Sequence, residues 1–436
     1  MRSVFLRTLC AIVFVAFSAG AAFAEGFALY EYGARGMALG GALVARKPDA
    51  SAVAYNPALL TRLPGINVMA GVSTVTPVGK MDTEDAYGNK DTTALKPSTW
   101  LIPHVYYTHQ INDKFTFGVG EFTRYGLGFE YPHNWPGRFN IYEVALTSAS
   151  INPNIAWAAT DKLSLAAGME VLYVDLDLKK RAYVDAASVG KAPAPDLLAI
   201  EVDSNIQKAR DTGLGWNAAM HYQFNDEWAF GFLYRSQVRV HAKGEVQYSL
   251  VESSGPYAAG GQALFEGMFK DGKAHSTVIL PDSFSGGLSY TPIPELSFEL
   301  AATYTRWSSF RDLNIHLPAP IGVSNSHKHW KDVWRIGFGI EYAPLDWLTL
   351  RGGYTFDQSP MPSGRNEDYL VPTKDRNIWS LGVGLHWGSW TVDLAYAYIG
   401  ANQRIYQANR ETGVLDSRTH KDNVTHTTSL SIGYQF

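Results

Sequence analysis

Past its first two dozen residues this chain has no cysteine, no long apolar run and no excess of charge of either sign. The one cysteine, Cys10, sits near the N-terminus, so no disulfide framework holds the remainder together. A membrane-spanning helix needs about 20 consecutive apolar residues, and no such run follows residue 24. With 37 Lys and Arg against 41 Asp and Glu, the formal net charge is −4, which leaves no electrostatic footprint for nucleic acid. Also missing are a G-x-S-x-G nucleophile elbow and an H-E-x-x-H zinc motif. His327 and His329 form an H-x-H in "SHKHWK" without a third ligand in view. They read as a solvated pair, and neither a metal nor a cofactor is expected.

The ends of the chain carry signals of their own. Arg2 and Arg7 flank or precede an apolar stretch, Leu9–Phe17, and "AFA" at Ala22–Ala24 supplies the small–x–small pattern of secretory cleavage. A leader over residues 1–24 is expected, with a mature chain from Glu25. At the other end, "TTSLSIGYQF" sets Leu430, Ile432, Tyr434 and Phe436 on one face of a strand, against Ser429, Ser431, Gly433 and Gln435. A terminal Phe436 closing such an alternation resembles the signal read by the machinery that assembles outer-membrane barrels.

Against these absences stand 24 Tyr, 12 Trp and 40 Gly, with aromatics at 13% of the chain. They fall in segments of two-residue alternation. "WAFGFLYR" puts Trp228, Phe230, Phe232 and Tyr234 on one face and Ala229, Gly231, Leu233 and Arg235 on the other. "LSLAAGMEVLY", "ELSFELAATY", "RIGFGIEY", "WLTLRGGYTF", "WSLGVGLHW" and "WTVDLAYAYI" behave alike. Such segments continue from about Ile66 to the end without a linker, which predicts one sheet rather than several domains. Connection lengths separate a barrel from a soluble sandwich. Short turns ("INDK", "TDK", "NDE", "TPIP", "APLD", "GS") alternate with long polar loops along about fourteen strands. The expected fold is therefore all-β, a transmembrane antiparallel β-barrel of about 14 strands over residues 66–436. Both termini then lie on the short-turn, periplasmic side.

In such a barrel the apolar faces meet lipid, and Trp228, Trp347, Trp379, Trp387 and Trp390 mark an aromatic girdle at strand ends. Arg235, Glu299, Arg335, Glu341, Arg351 and Asp393 point inward as a salt-bridge network. "KFTFGVGEF" breaks the pattern, since Phe115, Phe117 and Val119 outward would carry Glu121 outward too. Either a bulge at Gly118–Gly120 flips the register and returns Phe122 to the lipid side, or the strand stops at Gly120.

Residues 25–65 lack strand alternation. They are too apolar for a disordered tail and too rich in glycine for a long helix. The wide lumen of a large barrel would take such a segment as a plug. The other reading, a separate periplasmic domain, would leave a core too small to stand alone. Within the segment, "AYNPALLTRL" (Ala54–Leu63) reads as a helix start, with Asn56 as N-cap, Pro57 at the first helical position and a short helix from Ala58.

This segment resembles the N-terminal hatch of the long-chain fatty acid outer-membrane transporter family, the FadL/TodX type, through "GFALYEYGARGMALGGA" and "NPALLT" at Asn56–Thr61. Similarity continues in "YRSQVRVHAKG", "LPDSFSGGLSY", "LRGGYTFDQSPMP" and "VPTKDRNIWSLGVG". The resemblance implies a plugged barrel and passive passage of hydrophobic molecules, by capture among the outer loops, binding in a deeper pocket, hatch rearrangement and lateral exit where the third strand kinks. It implies a gating role for Asn56, Pro57 and Ala58, a pocket role for Gly26 and Phe27, carboxylate binding by Arg181 and Lys328, and a kink at Gly118 and Gly120. The partners it implies are a long-chain fatty acid or other hydrophobic small molecule, and outer-membrane lipid and lipopolysaccharide. Phe436 would engage the barrel-assembly machinery; a monomer is expected, and nucleic acid is not. An aromatic-hydrocarbon uptake channel of the same family is the alternative. An outer-membrane barrel enzyme, a general porin and an adhesin are the rivals from other classes.

Overall fold

Two-residue alternation of apolar and small residues produces an antiparallel ladder that returns to its own start. The computed structural model describes residues 26–85, 87–185, 198–253, 260–361, 368–372, 374–409 and 411–436, so the expected leader, with Cys10, lies outside the described residues. β1 (Ile66–Val78) pairs with β2 (Trp100–Gln110), and pairing continues through β3 (Phe115–Phe122), β4 (Glu143–Ala158), β5 (Leu163–Asp185), β6 (Leu198–Gln223) and β7 (Trp228–Arg235). It runs on through β8 (Ser283–Ile293), β9 (Leu296–Thr305), β10 (Val333–Leu345) and β11 (Leu348–Asp357). β12 (Arg376–Trp387), β13 (Trp390–Ala401) and β14 (Val424–Gln435) complete it. β14 then pairs with β1 from Asn67↔Gln435 to Val78↔Val424, so the fourteen strands form a closed barrel without a free edge. The wall strand that begins at Trp228 ends at Arg235, because Val238–Val240 leaves the wall to pair with Val278–Leu280.

The outer face is apolar. Leu101, Met169, Leu214 and Leu381 are each more than 60% exposed, and the five girdle tryptophans are exposed as well. On the long-loop side, β5 and β6 continue beyond the band, and Lys243–Ser253 pairs with the extension of β6.

Residues 26–65 fill the lumen. They form two short helices, α1 (Ala34–Ala38) and α2 (Ala52–Tyr55), and a 3₁₀ turn, Pro57–Arg62. Charge and size both fix them there. Arg35 makes two 2.8 Å hydrogen bonds to Glu341 on β10, and Arg351 on β11 joins the same carboxylate at 2.7 Å and Asp393 at 2.5 Å. Glu299 on β9 accepts the backbone N–H groups of Val44, Ala45 and Arg46. Arg235 donates to the carbonyls of Val53 and Ala54, and the Arg335 guanidinium lies 4.9 Å over the Tyr30 ring. The six inward charges read from the sequence are thus engaged, and much of that engagement is with the plug. A buried pair of this kind is costly to break from one side, by about 3–5 kcal/mol.

The register break expected at Gly118–Gly120 falls elsewhere. Both glycines are in regular ladder register, opposite Thr108 and Tyr106 on β2 and Asn154 and Asn152 on β4. They face inward, where a Cβ at Gly118 would sit 2.5 Å from Leu60 and one at Gly120 would sit 2.5 Å from Tyr106 and 3.1 Å from Val53. Room for the plug, not a bulge, explains their small size. Phe122 consequently faces inward and is fully buried, and Glu121 is outward. The strand is interrupted only after Phe122, and resumes as Leu127–Glu130 paired with β4 alone.

Plug and wall touch at backbone distance on β11, where a Cβ on Gly353 would meet Gly40 N at 2.4 Å and the Leu39 carbonyl carbon at 2.5 Å. Gly353→Val is expected to leave the barrel intact, read as unchanged heat-dependent migration on gels. It should displace the plug, read as new trypsin cleavage at Arg35, Arg46 or Lys47 and as raised conductance in planar bilayers. A variant with a protected plug and unchanged conductance would show that the wall yields instead.

Candidate functional site

The interruption of the third strand is where plug and wall exchange hydrogen bonds. β2 and β3 last pair at Val105↔Glu121. Beyond it, Gly126 N–H donates to the Phe27 carbonyl at 3.0 Å, and Leu29 N–H donates to the Arg124 carbonyl at 2.8 Å. The first described residues of the plug therefore take over part of the edge that β2 has left. Tyr125 is further fixed by Ser148 on β4, whose hydroxyl bonds both its N–H and its carbonyl.

A cavity of about 390 Å³ occupies the resulting gap. Gly26 to Leu29 and Glu31 border it on the lumen side, with Ile102 and Leu146 from inward positions of the wall. Leu101, Pro103, Thr147 and Tyr173, from outward positions, border it too, so the cavity crosses the wall between β2 and β3. Its volume lies in the range of small-molecule sites, roughly 300–1,000 Å³.

Gly26 and Phe27 stand at its inner end. Gly26 has φ of +57°, in the left-handed region that favours glycine, and a Cβ there would lie 2.9 Å from Trp307. Phe27 is buried in an aromatic cage, with ring centroids 4.6 Å from Trp307, 5.7 Å from both Phe310 and Trp330, and 6.0 Å from Tyr125. The cage is built by loops that follow β9 and precede β10.

Asn56 sits below, fully buried. Its side-chain oxygen accepts the Ala58 N–H at 3.0 Å, the N-cap bond that starts the 3₁₀ turn with Pro57 at its first position. Its amide group donates to the Val44 carbonyl at 2.7 Å and to the Met220 carbonyl of β6 at 3.1 Å. One side chain thus caps the turn, clamps two parts of the plug together and attaches them to the wall.

Arg181 and Lys328 each face carboxylates of the protein itself. Arg181 lies 3.7 Å from Glu201 and 3.8 Å from Asp203, with its guanidinium over the Tyr142 ring; Lys328 pairs with Asp368. Neither borders the cavity. Lys180, on the opposite strand face from Arg181, is within electrostatic reach of Lys328 and has no ion-pair partner among the described residues. Glu130, His133 and Glu143 offer ligand atoms within 4.8 Å of one another, but Lys96 and Lys179 already neutralise the two carboxylates. Sequence reading missed Arg35 and Asp49, which pair at 3.3 Å, and Arg46, 3.4 Å from Glu299; their signal was charge within an otherwise apolar stretch. It also missed the cage formed by Trp307 and Trp330, which lie between β9 and β10, outside the alternating segments.

Comparison with known proteins follows the geometry. A "Long-chain fatty acid transport protein" of Salmonella typhi is 25% identical over 397 residues, covering 87% of this chain and 88% of that protein. The crystal structure of a Pseudomonas aeruginosa FadL homologue has the same fold, with a TM-score of 0.81 at 21% identity over 94% of this chain and 100% of that one. The Pseudomonas putida toluene transporter TodX superposes with a TM-score of 0.72 at 18% identity over 94% and 99%. The family described as "Outer membrane protein transport protein (OMPP1/FadL/TodX)" matches residues 15–436, nearly the whole chain, and the protein belongs to that family.

Proposed function

We propose that this protein carries hydrophobic molecules, long-chain fatty acids or compounds like them, passively across the outer membrane. The observation that carries this reading is the cavity that joins the plug to the lipid face through the gap between β2 and β3. An acyl chain in such a slot stays out of water throughout, which a hydrated pore would not offer. Residues 25–65 act as the hatch behind a cleaved leader, 1–24, with the barrel over 66–436. Solutes are captured among the outer loops, where Lys180 has no ion-pair partner among the described residues and can meet a carboxylate, and settle against Gly26 and Phe27. Because Phe27 and Leu29 hydrogen-bond the interrupted strand, a shift of the hatch terminus frees residues 124–126 and widens the lateral exit.

Asn56, Pro57 and Ala58 form the latch. The rearrangement exchanges hydrogen bonds and needs no covalent bond made or broken, so the role is transport rather than catalysis. The chain acts as a monomer with both termini in the periplasm, surrounded by lipid and lipopolysaccharide, and Phe436 addresses it to the barrel-assembly machinery. Passage of aromatic hydrocarbons is the second reading, favoured by the cage of Trp307, Phe310 and Trp330 around Phe27.

Complementation of a transporter deletion strain tests the reading: labelled oleate uptake should return with this gene, and uptake at the deletion level would reject fatty-acid transport. Asn56→Ala removes an N-cap worth ~1 kcal/mol and the bond to Met220. It should lower uptake severalfold with heat-dependent gel migration unchanged, whereas wild-type uptake would leave Asn56 as a cap and nothing more. Pro103→Cys with Thr123→Cys places thiols two residues beyond Val105↔Glu121 on each strand, at the next positions of the same face. Oxidation should stop uptake and reductant restore it; uptake that persists with the cross-link formed would move the exit elsewhere.

A further inference from the structure

Three charged residues border the cavity: Glu31, Glu121 and Arg376. Arg376 is held 2.7 Å from Asp357, and buried Glu31 lies within electrostatic reach of Arg376 and Arg335. Glu121 differs from both. It projects outward at the last rung of the β2–β3 ladder, opposite Val105 and next to Ile151, each 52% exposed on the lipid-facing surface. No ammonium or guanidinium lies within ion-pair distance of it among the described residues. A carboxylate on the lipid face of a barrel is costly unless it has a role or reaches water. This one stands at the mouth through which a solute would leave.

We propose that Glu121 is a charge filter that makes the lateral outlet selective for uncharged solutes. The proposal rests on the lateral-exit reading above and adds what the exit discriminates. The carboxylate repels a second carboxylate passing close by. At an effective dielectric constant of about 20 and a separation of roughly 6 Å, that repulsion disfavours an anion by more than tenfold. A hydrocarbon or an alcohol meets no such cost. A fatty acid passes the outlet once its carboxylate has taken a proton from water, and returns that proton to water beyond the wall. Arg376, the one cation bordering the cavity among the described residues, is bound to Asp357 and does not pair with Glu121.

The test compares two probes of equal chain length, radiolabelled laurate and dodecanol, as initial uptake rates at pH 8 in a deletion strain expressing the full-length protein. Rates are taken above the empty-vector control. Glu121→Gln should raise the laurate-to-dodecanol ratio about tenfold, and Glu121→Asp should keep it at the wild-type value. Val105→Lys places an ammonium on the ladder partner and should raise the same ratio while leaving the carboxylate in place, which covers the case of a Glu121→Gln barrel that does not assemble. A ratio within about twofold of wild type in both Glu121→Gln and Val105→Lys overturns the filter. Failure of the exit itself reads differently: the oxidised Pro103→Cys, Thr123→Cys protein would then go on passing dodecanol.

Discussion

In a bilayer a peptide group without a partner has no water to turn to, and this constraint governs the whole molecule. The fourteen strands meet it by closing the sheet, and between β2 and β3 the ladder stops at Val105↔Glu121. Where β2 and β3 separate, the missing partners come from inside the barrel: Phe27 and Leu29 bond the backbone of Arg124 to Gly126, and Ser148 secures Tyr125. The gap in the wall exists because the plug is there to satisfy its edge. Opening and plugging are one hydrogen-bond account, so a change in one has to be settled in the other.

The same dependence shows in the charges. Glu341, Arg351 and Asp393 would form an incomplete set on the wall alone, and Arg35 completes it. Glu299 accepts three consecutive backbone N–H groups of the plug, as an anion does at a concave backbone nest. Such buried pairs add little net stability beside an apolar alternative, but they tolerate only one docking geometry. The plug is positioned by charge and given room by small residues, notably Gly118, Gly120 and Gly353.

Much of this was legible in the chain. Strand number, closure and face assignment follow from alternation and from the sorting of short and long connections, because both are local. The Asn56-Pro57 cap is local too, and the structure has it as read. The break in the third strand was sensed from Glu121 but misplaced onto Gly118 and Gly120. Glycine has two uses, a bend or a close approach, and the sequence does not say which until the opposing surface is known; here it is Leu60 and Val53 of the plug. The resemblance brought Arg181 and Lys328 forward for a carboxylate, and in the structure each already faces carboxylates from other segments, Glu201 and Asp203 for one and Asp368 for the other. Long-range pairing of this kind leaves no periodic trace.

The seam between the first and last strands has a meaning for biogenesis. Only Leu63 to Gly65 separate the 3₁₀ turn from β1, so the plug is tethered too tightly to be inserted as a finished cork. On the closing strand, Ser431 accepts the Ala34 N–H at 2.9 Å and also bonds His104 at 2.8 Å. The last strand to be made therefore docks onto a surface that the plug helps to form. A chain whose lumen is empty lacks the Ala34 N–H that Ser431 accepts, so filling the lumen and closing the ring share a contact.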